Sequence, residues 1–347
     1  MSTPETSAEF EETAAGDYII EPVEGTPLDL ETTMQHTGLV SVIGQHSLLE
    51  SRNSDHSDEE PREHHLVHLN VGGFRQTVWI TEPAPGHTLQ VTVASKPGLG
   101  EIIEDGIGWE FHRELAHKLP NARVLSHATY GFGPTAEQIP WRQLTKHNLG
   151  RLAIMGIDLL ATIPEDAPLV LAGTSLGTVI NNKLLYANLH RPKPVAIDLV
   201  VHHAPALVVP SRIIPDMVVG LPPGLVVDIF RELTLKSDPK RFRDNLRALR
   251  ASKPSLNDIL PTVRLFPEMA KGTRLREIEE VVANYQTVVI EGTKDSVAEI
   301  KMWQELAQKY PDNLSLHLIP GRGHGLTIKP REKARKIANI ITAAGIF

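Results

Sequence analysis

Ser175 stands between two glycines, where the apolar run "LVLAG" gives way to the amphipathic run "LGTVINNKLLYANL". Gly173, Thr174, Ser175, Leu176 and Gly177 have the spacing G-x-S-x-G. That spacing has a steric reason. A sharp strand-to-helix turn strains the serine backbone and crowds its neighbours two places away until neither can carry a Cβ. In return the hydroxyl is exposed at the carboxyl edge of a sheet. Beside it lies a helix N-terminus whose N–H groups, Leu176 first, can bind a developing oxyanion. The chemistry on offer is nucleophilic attack on a carbonyl. The plainer alternative is a tight turn with a bystander hydroxyl. The strand before and the helix after favour the nucleophile.

A serine hydroxyl needs a base to take its proton, and the base needs an orienting acid. Two later strand ends supply them. "VVIEGTKDSV" places Asp295 just past a β-branched run, with Glu291 as the reserve acid at the strand's end. "LHLIPGRGHGLTI" places His324 past the next strand, between Gly323 and Gly325. Most of the 16 histidines are expected to be structural. His324 differs in its strand–loop–helix setting.

The elements around these residues alternate. "HLVHLNV" and "FRQTVWI" flank Gly72-Gly73 and read as a hairpin with a two-residue turn. "TLQVTVAS" (Thr88–Ser95) is a third strand, and "WEFHRELAHKL" is a helix. Strand patterns follow in "ARVLSHA", "APLVLAG", "PVAIDLVVHH", "QTVVIEG" and "LSLHLI". Helical patterns lie between them, including the long "WRQLTKHNLGRLAIMGIDLLATI". Antiparallel entry strands followed by strand–helix units predict an α/β fold with a mostly parallel sheet covered on both faces. The alternation stops between 205 and 280, a Pro-rich and then helical insertion. Residues 1–63 carry 15 acidic and 2 basic side chains and few large apolar ones. That composition predicts a mostly disordered acidic tail, with one apolar patch, Thr37–Leu49, as a candidate to fold back. The expected division is therefore a tail over 1–63, core over 64–204, cap over 205–280 and core over 281–347.

These residues together resemble the α/β-hydrolase family over roughly 65–347. The resemblance rests on the elbow "GTSLG", the acid loop "EGTKD" and the histidine loop "IPGRGHG", in the family's order of serine, acid, histidine. "SHATYGFGPT" also resembles the family's loop after the fourth strand, with Ala128 and Tyr130 at its usual Asp and Arg. The resemblance implies a serine hydrolase whose triad is Ser175, Asp295 and His324, with its pocket between cap and sheet. It implies an oxyanion hole built from the N–H of Leu176 and of Leu99. The latter follows from aligning Pro97-Gly98 with the family's His-Gly after the third strand. Serine rather than a carboxylate at the elbow implies an acyl-enzyme instead of the alkyl ester of epoxide hydrolases and dehalogenases. The expected enzyme is carboxylesterase-like, acting on a small to medium apolar substrate. Competing readings are a perhydrolase or carbon–carbon hydrolase with the same triad, and a binding or regulatory protein that keeps the fold without turnover.

Other signals narrow the field. Cys is absent, which removes disulfides, thiolate metal sites and a cysteine nucleophile. No apolar run reaches the roughly 18 residues of a membrane helix, and the N-terminus lacks the order of a secretory signal. A cytoplasmic protein is the expectation. His64, His65 and His68 read as a solvated strand edge rather than a metal site. His202 or His203 is a candidate to line the pocket. "GLGEIIEDG" and "GFGPT" contain Gly-x-Gly without a nucleotide-binding context. No cofactor, metal or nucleic-acid partner is expected, only a small-molecule acyl substrate. "KSDPKRFRDNLRALRASK" (Lys236–Lys253) reads as a cap helix with a solvated basic face, on which the acidic tail is a candidate to rest.

Overall fold

The computed structural model describes residues 40–49, 62–71, 74–98, 106–127, 156–206, 275–295, 300–324 and 329–346, with only the backbone described for 40–49. Among the described residues nine strands form one sheet. They are β1 (Val40–Leu49), β2 (Glu63–Val71), β3 (Phe74–Thr81), β4 (Val91–Lys96), β5 (Ala122–His127), β6 (Leu169–Thr174), β7 (Leu199–His203), β8 (Thr287–Gly292) and β9 (Leu314–Ile319). The helices are α1 (Gly106–Lys118), α2 (Leu176–Leu189), α3 (Leu275–Asn284), α4 (Ile300–Lys309) and α5 (Pro330–Ala343). Residues 156–160 are also helical.

The spatial order is β1-β2-β3-β5-β4-β6-β7-β8-β9. Pairing is antiparallel from β1 to β3 and from β3 to β5, and parallel from β5 through β9. The expected hairpin is present, with Val71 opposite Phe74 across Gly72-Gly73. β4, β6 and β7 are buried along their whole length, because parallel strands with helices on both faces have no solvated side. On one face α1 and α5 bring Phe111, Leu115, Ile337 and Ile341 onto Val93, Val124, Val170 and Val201. On the other, α2 and the helical residues 156–160 pack Ile157, Leu160, Val179 and Leu184 against Leu125, Leu171 and Val200. There α4 adds Trp303 and Leu306 against Val289 and Leu314. From β4 the chain moves to one side of the sheet and from β6 to the other. The gap between β4 and β6 is thus the point where strand order reverses, the usual place for a ligand crevice at the carboxyl ends.

The structure adds to one expectation and changes two. The apolar patch inside the acidic segment is β1, which pairs with β2 from Val40↔Val71 to Leu49↔Glu63. Residues 1–39 and 50–61 lie outside the described residues. Because β1 covers β2, the triple histidine is not an edge: His64, His65 and His68 are all buried. For His64, a chain of hydrogen bonds makes that burial tolerable. It runs from His64 Nδ1 to Thr81 Oγ1 (2.6 Å), to His112 Nε2 (2.7 Å), from its Nδ1 to Ser126 Oγ (2.8 Å) and on to Ser95 Oγ (2.7 Å). At the second core boundary, α3 already packs Ile278, Val281 and Val282 into the core. This helix begins at Leu275, six residues before the expected boundary at 281. Residues 207–274, with the basic segment Lys236–Lys253, lie outside the described residues. So do 128–155, which hold Ala128, Tyr130 and the start of the long helical pattern. Among the described residues no helix is long and apolar enough to cross a membrane.

Removing residues 1–49 exposes the N–H and C=O groups along β2, an uncovered edge prone to self-association. The truncated chain is expected to unfold several degrees lower by differential scanning fluorimetry and to scatter light in proportion to its concentration. An unchanged midpoint in clear solution would show that β1 adds nothing to the sheet.

Candidate active site

β6 ends at Thr174 and α2 begins at Leu176, so Ser175 alone makes the turn between them. It does so at φ 48° and ψ −115°, in the left-handed region where a residue with a Cβ is strained by about 1–3 kcal/mol. Neighbouring elements hold it there. Ser175 N donates to the His203 carbonyl at the end of β7 (3.1 Å). The Ser175 carbonyl accepts from Thr178 N (3.0 Å) and Thr178 Oγ1 (2.6 Å). The two glycines are explained by what a Cβ would meet. At Gly173 it would lie 2.7 Å from Asn181 Nδ2, which reaches under the turn to the Ala172 carbonyl. At Gly177 it would run into the carbonyl oxygens of Lys96 and Pro97, the latter at 2.7 Å. The loop leaving β4 thus lies directly against the first turn of α2. Ala204, just past β7, is the other non-glycine at positive φ (47°) among the described residues. Backbone strain is concentrated where β6 and β7 end.

The acid and the imidazole are positioned by two loops that bind each other. A Cβ on Gly292 would collide with the Arg322 carbonyl, so glycine lets the loop after β9 close on the end of β8. Thr293 N donates to the Ile319 carbonyl (3.0 Å), Lys294 N to the Arg322 carbonyl (2.8 Å) and Gly321 N to Thr293 Oγ1 (2.8 Å). The Arg322 side chain pairs with Glu332 of α5 (3.2 Å) and tethers the same loop. These ties place His324 Nδ1 2.8 Å from Asp295 Oδ2, and His324 Nε2 2.8 Å from Ser175 Oγ, across 149 positions of sequence. A carboxylate only accepts, so the Nδ1 proton is donated to Asp295 and Nε2 is left to accept from Ser175. All three side chains are buried, where low dielectric strengthens each bond.

The remaining sequence candidates fall as follows. Leu176 is the first residue of α2, so its N–H is among those a helix leaves without an internal partner. Leu99 lies outside the described residues, while Pro97 and Gly98 before it are buried. Lys96 is buried too, and burial lowers its amine to about 8. Beside it His127 is held well below the ordinary imidazole value by burial and by the Lys96 charge. Neither His202 nor His203 is exposed. The His202 ring bonds Asn182 Oδ1 (3.1 Å), and burial lowers it to about 3. His203 is kept well below its ordinary value by burial first, then by Lys333, Lys336 and His324. Its contribution to the turn is a backbone carbonyl, which residue type could not announce. The carboxylate bonded to His324 is that of Asp295, while Glu291, next to last in β8, is fully buried and its carboxyl is acted on by Asp295. Among the described residues no cluster of three or more His, Asp or Glu side chains is arranged to hold a metal ion.

With this geometry in view, the sequence over residues 120–331 matches the serine aminopeptidase (S33) hydrolase family. Comparison with curated proteins gives no match. Among solved structures, a serine hydrolase involved in carbazole degradation aligns at TM-score 0.53 and 18% identity, over 78% of this chain and 96% of its own. A serine hydrolase from the polyaromatic-hydrocarbon-degrading bacterium Cycloclasticus zankles aligns at 0.55 and 17%, over 82% and 99%. A soluble variant of the Saccharomyces cerevisiae monoglyceride lipase aligns at 0.53 and 15%, over 79% and 93%. Likeness at such low identity is a likeness of fold.

The close approach at Gly177 predicts that Gly177→Ala displaces either the β4 loop or α2. Forced overpacking of this kind costs about 1–3 kcal/mol. A lower urea midpoint and slower reaction of Ser175 with a phosphonate probe are the expected readings. Wild-type values for both would mean that the two segments are not held against each other.

Proposed function

The chain belongs to the serine aminopeptidase (S33) family of α/β-hydrolases, and from that premise we propose that it cleaves carboxylic esters of small to medium apolar substrates through an acyl-enzyme. The observation that carries this reading is the row Ser175 Oγ, His324 Nε2 and Nδ1, Asp295 Oδ2, with 2.8 Å at each link. Support comes also from the strained turn that presents Ser175 at the start of α2, beside the switch point of the sheet.

In the proposed reaction His324 Nε2 takes the Ser175 proton as Oγ attacks the substrate carbonyl carbon. Asp295 keeps the imidazole in the right tautomer and stabilises its cationic form. The N–H of Leu176 and of Leu99 bind the tetrahedral oxyanion. One such donor is worth about 10²–10³ in turnover. The C–O bond to the leaving alcohol breaks as His324 returns the proton to that oxygen, and the acyl group stays on Ser175. Water then attacks the acyl-enzyme, gives its proton to His324 and releases the acid with Ser175 restored. The segment 205–274 is the proposed cap. Its composition, "LVVPSRIIPDMVVGLPPGLVV", supports an apolar acyl or alkyl pocket over the triad.

Two measurements test this. A fluorophosphonate probe is expected to label the full-length chain, and Ser175→Ala to abolish labelling. His324→Ala and Asp295→Ala are expected to lower turnover by about 10⁴-fold or more. On p-nitrophenyl esters from acetyl to palmitoyl, turnover is expected to peak at medium chain length. A folded wild type that takes no probe would indicate a binding protein. Labelling without ester turnover would move the reaction to another acyl bond.

A further inference from the structure

Asp295 has a neighbour that the proposed reaction does not use. Glu291 is fully buried at the end of β8. Its Oε1 accepts from Gly292 N at 2.8 Å, and no N–H or hydroxyl among the described residues reaches Oε2. The charged neighbour that acts on this buried carboxyl, through its charge and by hydrogen bonding, is the side chain of Asp295. Two carboxyl groups bond each other only through a proton carried by one of them. Asp295 accepts the His324 Nδ1 proton and must be the anion. Of the two, Glu291 is the one able to carry such a proton.

We propose that Glu291 is a positioning residue of the catalytic row, whose O–H donates to Asp295 and locks that carboxylate in the orientation that receives His324. The inference rests on the hydrolase reading above and deepens it. Burial, reinforced by the Asp295 charge, raises the Glu291 pKa well above the ordinary 4.5, in keeping with a proton retained at neutral pH. Strand alternation and shared packing put Val289 and Glu291 on the α4 face of the sheet. On that face of the adjoining strand stands His202, neutral through burial. His203 of β7, with Lys333 and Lys336 of α5 acting on it, belongs to the opposite face. His324 approaches from the loop after β9.

At alkaline pH the shared proton leaves, two carboxylates face each other, and Asp295 is pushed out of line. Glutamine in place of Glu291 still donates an N–H but has no proton to lose. Full-length wild type, Glu291→Gln, Glu291→Ala and Ser175→Ala would be compared for ester turnover and fluorophosphonate labelling from neutral to alkaline pH. Other groups that titrate there, such as Lys96, act equally on all variants. Glu291→Gln is expected to match wild type at neutral pH and to keep its rate at alkaline pH, where wild type falls. Glu291→Ala is expected to lose about 10- to 100-fold in kcat with little change in KM, the worth of one hydrogen bond to a charged group.

Denaturant unfolding reads the same proton without catalysis. Folding raises the Glu291 pKa, so its stabilising effect is present below the unfolded value and is lost as pH rises through the folded one. Wild-type stability should fall over that window, and Glu291→Gln should not share the fall. Superimposable rate and stability profiles for wild type and Glu291→Gln would overturn the inference, as would full kcat in folded Glu291→Ala. If Glu291→Ala does not fold, the glutamine comparison decides alone. A wild type that labels normally in either outcome leaves the hydrolase reading intact, whereas an unlabelled wild type sinks that reading first.

Discussion

The site depends on a backbone turn made by a single residue. Ser175 joins a buried strand to a buried helix with no intervening loop, and this is possible only in the left-handed region. A cost of about 1–3 kcal/mol is a real fraction of the 5–15 kcal/mol by which a domain is stable. The turn therefore has to be held from several sides. β7 supplies a carbonyl to its N–H, α2 returns the Thr178 donors to its carbonyl, and the β4 loop presses on Gly177. The strands that do this holding are among the most deeply buried in the sheet, and their packing offsets the strain.

A second constraint follows from parallel pairing. β4 through β9 all send their carboxyl ends to the same edge, so residues far apart in sequence can meet there without long excursions. Asp295 lies three residues past β8 and His324 five past β9. The two loops are joined to each other by backbone bonds before either reaches Ser175. The imidazole is thus aimed by the pair of loops. The carboxylate behind it is backed by a second, fully buried carboxyl at Glu291, which connects the row to the end of the sheet.

Much of this was legible from residue types. The apolar run "LVLAG" marked β6, because a strand covered on both faces has few polar positions to spare. Gly173, Ser175 and Gly177 marked the turn, since its steric demand admits few other residues. Asp295 and His324 stood out as candidates because each follows a strand pattern closely, and the structure brings both to Ser175. The histidines of β2 were misread for an equally physical reason. Whether His64, His65 and His68 are solvated depends on whether another strand covers β2. That strand, Val40–Leu49, sits inside a segment whose overall composition is acidic and polar. Likewise the first six residues of α3 fell in the expected insertion, because an amphipathic pattern does not say which surface it covers.

The sequence by itself determined the alternation of strands and helices from β2 onward and the turn at Ser175, and it singled out Ser175, Asp295 and His324 as candidates, because each is set by local sterics or by residue chemistry. Only the tertiary structure decided which strand is an edge, how Lys96 and Pro97 crowd Gly177, and that Glu291 rests against Asp295 in the dark of the core. Those facts arise from contacts between segments brought together by sheet pairing. Their energies depend on burial and distance, which no local pattern encodes.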